Sequence, residues 1–315
     1  QDRRFERYAT EYERWSKNSE WRLYKVRARA DLHAHSNISD GIHSPSELLS
    51  IASGLNLGAL ALTDHDTIDG LVEFMNAEVR GCPIRIPGVE ISTEYQGVEA
   101  HLLGYFVPTR APKLVKRLKA LEESRRKRFP KMQNRLESEG IRISDDDIDQ
   151  ILQGVKAPGR PHMAKLLIRR GYVRDIEEAF HKYLGKGKPG YVKKERADIG
   201  EAISLLKSEG AVPVLAHPLT MRLPDLRSTL IELRELGLLG VEIEYDYQHL
   251  RFNVKPGEVQ SLAEGLGLIE TGGSDYHGDG AHRDLGSITV PIHVVDNLRK
   301  AHEELRNNAS EAISG

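Results

Sequence analysis

Asp31-Leu32-His33-Ala34-His35, answered far downstream by Gly272-Gly273-Ser274-Asp275-Tyr276-His277, constrains this chain more than any other feature. In a strand, residues two apart share a face, so His33 with His35, and Asp275 with His277, can each turn two ligand-type side chains toward one ion. A fold that uses both pairs must bring together strand ends separated by most of the sequence. Between them, short apolar runs ending in polar clusters recur at residues 58–63, 84–89, 100–106, 211–216, 240–243 and 267–271, with helical periodicity in most intervals. This β/α alternation predicts an α/β fold built on a parallel sheet or barrel, with the chemistry at the C-terminal ends of the strands. Residues 286–291 supply a last strand.

Composition narrows the chemistry. The single Cys82 excludes an internal disulfide framework and a cysteine-rich zinc ribbon, so a metal here must rely on histidines and carboxylates. A formal net charge of −2 gives no global field for nucleic acid or anionic membranes, and any basic site must be local. No apolar run approaches the roughly 20 residues that cross a bilayer. The expectation is a soluble cytoplasmic protein with no membrane partner.

Four segments are expected. Residues 1–29 form an N-terminal helical extension, in which Phe5, Tyr8, Tyr12 and Trp15 share one face. Residues 30–110 and 201–293 form the barrel. Residues 111–200, mostly helical in pattern, interrupt it as an insertion, and residues 294–315 end the chain as a helix and tail. The insertion opens with a basic run, Lys113, Lys116, Arg117 and Lys119, then Arg125 to Arg128, which reads as a solvated helix face or a nucleic-acid contact. It later carries Gly159-Arg160-Pro161-His162 and Gly185-Lys186-Gly187-Lys188-Pro189-Gly190. Both suit a phosphate, with glycine amides beside cationic side chains.

Further clusters fall at strand ends: Ser39-Asp40-Gly41, Thr63-Asp64-His65-Asp66, Gly88-Val89-Glu90, His101 and Ala216-His217-Pro218. Six of the 13 histidines and three carboxylates thus gather where stability does not require them, and grouped carboxylates repel unless a cation lies between them. Imidazole with carboxylate suits manganese, zinc or iron. Asp64 reads as an acceptor that orients neighbouring ligands, and Asp66 as the cap of the next helix.

In order and spacing these motifs resemble the PHP (polymerase and histidinol phosphatase) superfamily over roughly residues 30–290. The segments around Arg160 and Lys188 resemble its subgroup that dephosphorylates nucleoside 3′,5′-bisphosphates and trims short oligonucleotides. The resemblance implies a distorted (β/α)7 barrel with a mostly helical insertion and a centre of two to three divalent ions. It would place His33, His35, Glu90 and Asp275 on one ion. Glu90 would bridge to a second ion with His101 and His217, and Asp40, His65 and His277 would hold a third. Manganese is the expected metal, with Zn2+ and Fe2+ as alternatives.

The implied function is phosphoester hydrolysis of small nucleotide phosphates by a metal-bridging hydroxide, with no side-chain nucleophile, extending to 5′-3′ trimming of short single-stranded oligonucleotides. Arg160, His162 and Lys188 are the expected phosphate contacts; His249, His282 and Arg283 are candidates for the pocket. The rival readings are a phosphomonoesterase for a histidinol-phosphate-like metabolite, a barrel amidohydrolase and a metal-free scaffold. Oligomeric state stays open.

Overall fold

The first strand, β1 (Arg29–Asp31), runs into the His33–His35 motif and lies beside β2 (Ala59–Leu62) in parallel register, with Ala30 opposite Ala59. The computed structural model describes residues 28–221, 223, 225–247, 256–280 and 282–314, so the aromatic-faced segment expected at the N-terminus and His249 lie outside the described residues. Between β1 and β2 sits α1 (Pro45–Gly54), whose start is fixed by a capping box. The Ser44 hydroxyl accepts from the Glu47 N–H at 3.3 Å, and the Glu47 carboxylate accepts from the Ser44 N–H at 2.7 Å.

The sheet continues through β3 (Ile84–Tyr95), parallel to β2, and then departs from simple β/α alternation. β4 (Val98–Tyr105) returns antiparallel to β3 through a two-residue turn. Gln96 and Gly97 both have positive φ, 49° and 80°, the left-handed pair that a tight hairpin of this kind requires. β5 (Ala197–Asp198) pairs with β3 off the main path. β6 (Val212–Leu215) lies antiparallel to β4, and β7 (Gly240–Glu244) and β8 (Ile269–Gly272) extend the sheet in parallel. The order is β8-β7-β6-β4-β3-β2-β1-β9, with β9 (Val290–Pro291) antiparallel to β1.

The two ends of this series meet. The Leu32 N–H donates to the Gly272 carbonyl at 3.2 Å, and Ala34 bridges Tyr276, so the sheet forms a nearly closed barrel. Gly273 makes the approach feasible, since a Cβ there would stand 2.4 Å from the His33 nitrogen. Buried Asp31 ties the same seam by accepting from the Ser274 N–H and hydroxyl, at 3.0 and 2.6 Å, and from the Gly286 N–H at 2.8 Å. The expectation of uniformly parallel strands is therefore corrected at β4, antiparallel to both its neighbours, and at β9, antiparallel to β1. A strand buried on both faces reads as one apolar run in either orientation.

Short helices cover the barrel: α2 (Leu71–Asn76), α8 (Ile199–Ser208), α9 (Leu226–Glu235), α10 (Pro256–Leu266) and the terminal α11 (His293–Ser314). Residues 112–184 contribute α3 (Pro112–Arg126), α4 (Arg128–Glu137), α5 (Asp145–Leu152), α6 (Arg160–Arg169), α7 (Ile176–Ala179) and a single π-turn, Phe180–Leu184. Leu114, Leu118 and Leu121 of α3 join the main barrel core. From Phe129 to Leu184 the buried apolar side chains form a separate cluster around Met132, Leu136, Met163 and Leu167. Among the described residues no helix is long and apolar enough to cross a membrane.

Candidate metal centre and its cavity

Nine side chains from six strand ends and loops converge at the C-terminal mouth of the barrel. Glu90, fully buried on β3, stands at their centre. Its Oε2 lies 3.4 Å from His33 Nε2, 3.3 Å from His35 Nε2 and 2.8 Å from His65 Nδ1. Its Oε1 lies 2.9 Å from His101 Nδ1 and 3.1 Å from His217 Nε2. Asp275 Oδ1 approaches His33 Nε2 and His35 Nε2 at 3.3 and 3.1 Å, and Asp40 Oδ1 approaches His277 Nε2 at 3.3 Å.

These spacings suit coordination. Two donor atoms each about 2.0–2.2 Å from one ion stand roughly 3.0–3.5 Å apart at bond angles of about 90–110°. Hydrogen bonding leaves much of the cluster unsatisfied. His33 Nε2, both ring nitrogens of His35 and of His101, His65 Nδ1, Asp40 Oδ1, Glu90 Oε2 and Asp275 Oδ1 are buried without a hydrogen-bond partner. Buried polar atoms are rarely left so, and this many converging at one point suit a site for divalent cations. His33, His35, Glu90 and Asp275 form one group able to hold an ion; His35, Asp40, His65 and His277 form another, and His65, Glu90 and His101 a third.

The outer atoms of the cluster are held by neighbours that aim the inner ones. His33 donates Nδ1–H to Glu242 at 3.0 Å, which leaves Nε2 facing Glu90 and Asp275. The other oxygen of Glu242 accepts the His217 backbone N–H at 2.8 Å. His277 donates Nδ1–H to the Asp275 carbonyl at 2.8 Å, which leaves its Nε2 for Asp40. Asp64 accepts from the Ser36 N–H, the Ser36 hydroxyl and the Ser39 hydroxyl, each at 2.7 Å, and so fixes the loop that presents Asp40. Three of the six non-glycine residues with positive φ among the described residues, Asp66, His217 and Asp275, lie in or beside the cluster. Such backbone strain persists only where surrounding contacts enforce it.

Electrostatics follow from this crowding. Burial pulls the His33 imidazole down, but Glu242, Asp275 and Glu90 hold it well above its ordinary value. Burial together with His277 and His65 pushes His35 down to about 3. Burial works against ionisation of Glu90, yet His65, His101 and His33 keep its carboxyl well below the usual range. Burial works against ionisation of Asp275 too, yet the neighbouring His33, His35 and His277 imidazoles hold its carboxyl well below the usual range. The cluster is thus built around alternating imidazoles and ionised carboxylates.

Six of the nine, Asp40, His65, His101, His217, Asp275 and His277, line a cavity of about 420 Å³ to which residues 125–194 also contribute. Arg125, Arg128, Arg160 and Lys194 line the same space, with Ile176 and Phe180 as apolar contributors. The Arg160 guanidinium lies over the rings of Phe180 and Tyr191, 5.3 and 5.5 Å from their centroids. Burial and neighbouring Arg125 push the Lys194 ammonium down to about 7, although Asp66 and Glu99 favour its charge.

Of the expected phosphate contacts, only Arg160 lines the cavity. Buried His162 instead accepts the Gly159 N–H on its Nδ1 at 3.2 Å, and burial pushes it down to about 4, so it closes the start of α6 as a neutral ring. Lys188 is exposed on its turn and is not among the lining residues. His282 does line the cavity, stacked 4.0 Å from the His277 ring and bonded through Nδ1 to Asp279 at 3.0 Å. Arg283 pairs with Asp246 at 2.5 Å and does not line it. Asp66 caps no helix; its carboxylate accepts from Arg125 and from the Ser92 N–H.

Glu242, Lys194 and the Asp66–Arg125 pair went unpredicted. Only Glu242 left a local signal, an acidic residue inside the otherwise apolar run Val241–Ile243.

Comparison with known proteins agrees with this geometry. The sequence pattern of the PHP domain matches residues 31–139. A 3′,5′-nucleoside bisphosphate phosphatase of Chromobacterium violaceum is 34% identical over 266 residues, 82% of this chain and 91% of that one. A 5′-3′ exoribonuclease of Haemophilus influenzae is 35% identical over 215 residues, 68% of this chain and 78% of its own length. Among solved structures, a protein from Bifidobacterium adolescentis assigned as a metal-dependent phosphoesterase superposes with a TM-score of 0.79 at 28% identity, covering 86% of this chain and 96% of that one.

Proposed function

The chain belongs to the PHP family of metal-dependent phosphoesterases, and from that premise we propose that it removes phosphate from nucleoside 3′,5′-bisphosphates and trims short oligonucleotides in the 5′-3′ direction. One observation carries the reading beyond the family. A single cavity is lined both by six residues of the cluster and by Arg125, Arg128, Arg160 and Lys194. A substrate with one phosphate at the cluster and a second negative group on these cations matches that lining; a monophosphate of an amino alcohol leaves the cations unused.

In this reading His33, His35, Glu90 and Asp275 hold one ion, Glu90 with His101 and His217 a second, and Asp40, His65 and His277 a third, with manganese as the occupant. Ions there supply Lewis acidity toward phosphoryl oxygens and a water that is nucleophilic at neutral pH. The protein's own part is orientation. Glu242 keeps His33 in one tautomer, Asp64 holds the Asp40 loop, and the Tyr245 hydroxyl donates to Asp275 at 3.1 Å. Arg160 and Lys194 grip the second phosphate through charge-assisted hydrogen bonds, which fixes the first phosphate for in-line attack.

The test is phosphate release by manganese-loaded protein from adenosine 3′,5′-bisphosphate, AMP and histidinol phosphate, with His217→Ala as control. The expected result is a kcat/KM for the bisphosphate at least about 100-fold above the others, the scale of one lost charged contact, and abolished in the control. Preferential turnover of histidinol phosphate would overturn the substrate assignment.

A further inference from the structure

The cationic lining of the catalytic cavity continues beyond it. Arg128 lines it and also lines a second cavity, of about 310 Å³, on the outer side of α3 and α4. Ser124, Lys127, Lys131, Val192 and Lys193 contribute to that second space. One side chain therefore forms the partition between a buried reaction site and a basic surface groove.

Arg128 is poorly satisfied for a buried guanidinium. It is 6% exposed, and one terminal nitrogen donates to the Val192 carbonyl at 2.9 Å, but its Nε–H is buried with no partner. Burial, and then the charges of Arg125 and Arg160, push it down to about 10. Arg196, close by, also leaves its Nε without a partner. The carboxylates within reach are already engaged: Asp66 with Arg125, and Glu94 and Glu99 with Arg196. Crowded cations with unused buried N–H groups are the arrangement a phosphodiester oxygen completes.

The groove beyond has the same character. Lys127 and Lys131 are exposed, and neither has an ion-pair partner among the described residues. Lys193 stands 3.2 Å from Glu94, and Glu123 and Glu195 are the acidic residues of the lining, so four cations face two carboxylates. The lining offers too little apolar surface to hold a protein segment, for which an aromatic or aliphatic anchor is the usual requirement. A duplex would not reach the cluster, because Asp40, His217, Asp275 and His277, which line the first cavity, are all buried.

We propose that the second cavity is a track for single-stranded oligonucleotide. The strand would leave the reaction site past Arg128, with its following phosphates resting on Lys127, Lys131 and Lys193. This inference rests on the phosphoesterase reading above and adds a feature that a bisphosphate alone does not use. Contacts confined to backbone phosphates make the track indifferent to base sequence.

The experiment compares kcat/KM for adenosine 3′,5′-bisphosphate with that for 5′-phosphorylated oligoribonucleotides of two to six nucleotides, in the wild type and in Lys127→Ala/Lys131→Ala. Both lysines are exposed, so the variant is expected to fold. The wild type should favour the longer substrates. The variant should lose about 10-fold on the four-nucleotide substrate and less than about 2-fold on the bisphosphate, and its log–log salt dependence on the longer substrate should fall by about 1.4. A wild-type preference that is flat with length, or an equal loss on both substrates, would overturn the track. If oligonucleotides were degraded but the bisphosphate were untouched, the substrate reading would fail while the variant's effect on oligonucleotides still decided the track. If nothing were hydrolysed, fluorescence anisotropy of a labelled tetranucleotide would decide it. A 10-fold weaker Kd in the variant supports the track and an unchanged Kd rejects it.

Discussion

Glu90→Gln should lower kcat by about 10³-fold or more, which corresponds to roughly 4 kcal/mol of transition-state stabilisation, and should reduce bound metal by at least one ion per chain. Both Glu90 oxygens are used: one faces His33, His35 and His65, the other His101 and His217. The amide keeps the shape but removes the charge and turns one acceptor into a donor aimed at imidazole nitrogens. Two ions that share a carboxylate would then repel without their bridge. Metal analysis of the purified variant, alongside phosphate release and circular dichroism, separates loss of the centre from loss of the fold. A folded Glu90→Gln protein with full metal content and activity within a few-fold of wild type would remove Glu90 from the centre.

Asp66→Ala should destabilise the protein by about 3–5 kcal/mol, the range expected when one partner of a buried ion pair is deleted and the other stays buried. Asp66 and Arg125 are 1% and 3% exposed, and the Arg125 Nε donates to Asp66 Oδ2 at 2.8 Å. Arg125 holds the Asp66 carboxyl below its usual range, after burial has pushed the other way. The pair joins the loop carrying His65 to α3, and the second Asp66 oxygen accepts from Ser92 at 2.7 Å. In Asp66→Ala the guanidinium loses its only carboxylate among the described residues. Denaturant unfolding measures the loss, and Asp66→Asn/Arg125→Met should recover part of it because no unpaired charge remains buried. A single variant as stable as wild type would show that the pair does not clasp these elements.

The cluster was legible because its spacing is local. His33-x-His35 and Asp275-x-His277 carry strand geometry within themselves, and His65, Glu90 and His217 sit where an apolar run stops. What brings Asp66 onto Arg125 is different in kind: the two are 59 positions apart, and an aspartate shortly after a strand reads equally well as a helix cap. The Gly185–Gly190 turn shows the opposite error. Its glycines and lysines have the composition of a phosphate loop, but composition does not say which way a turn faces, and Lys188 points its charge to solvent. Lys194 lies only a few residues further on, in a stretch with no motif, and it is the lysine that reaches the cavity. The antiparallel turn was readable in principle, since Gln96-Gly97 between apolar runs is a hairpin signal that the β/α rhythm overshadowed.

The central claim is that the buried cluster is a metal centre that performs phosphoester hydrolysis. The most direct measurement is a titration of Mn2+ into chelator-stripped protein, with bound metal and phosphate release from adenosine 3′,5′-bisphosphate followed on the same samples. The account predicts no turnover in stripped protein, and activity that rises with occupancy to a plateau at two to three ions per chain, the number a shared phosphoryl site of this type uses. Undiminished turnover by fully stripped protein would contradict it.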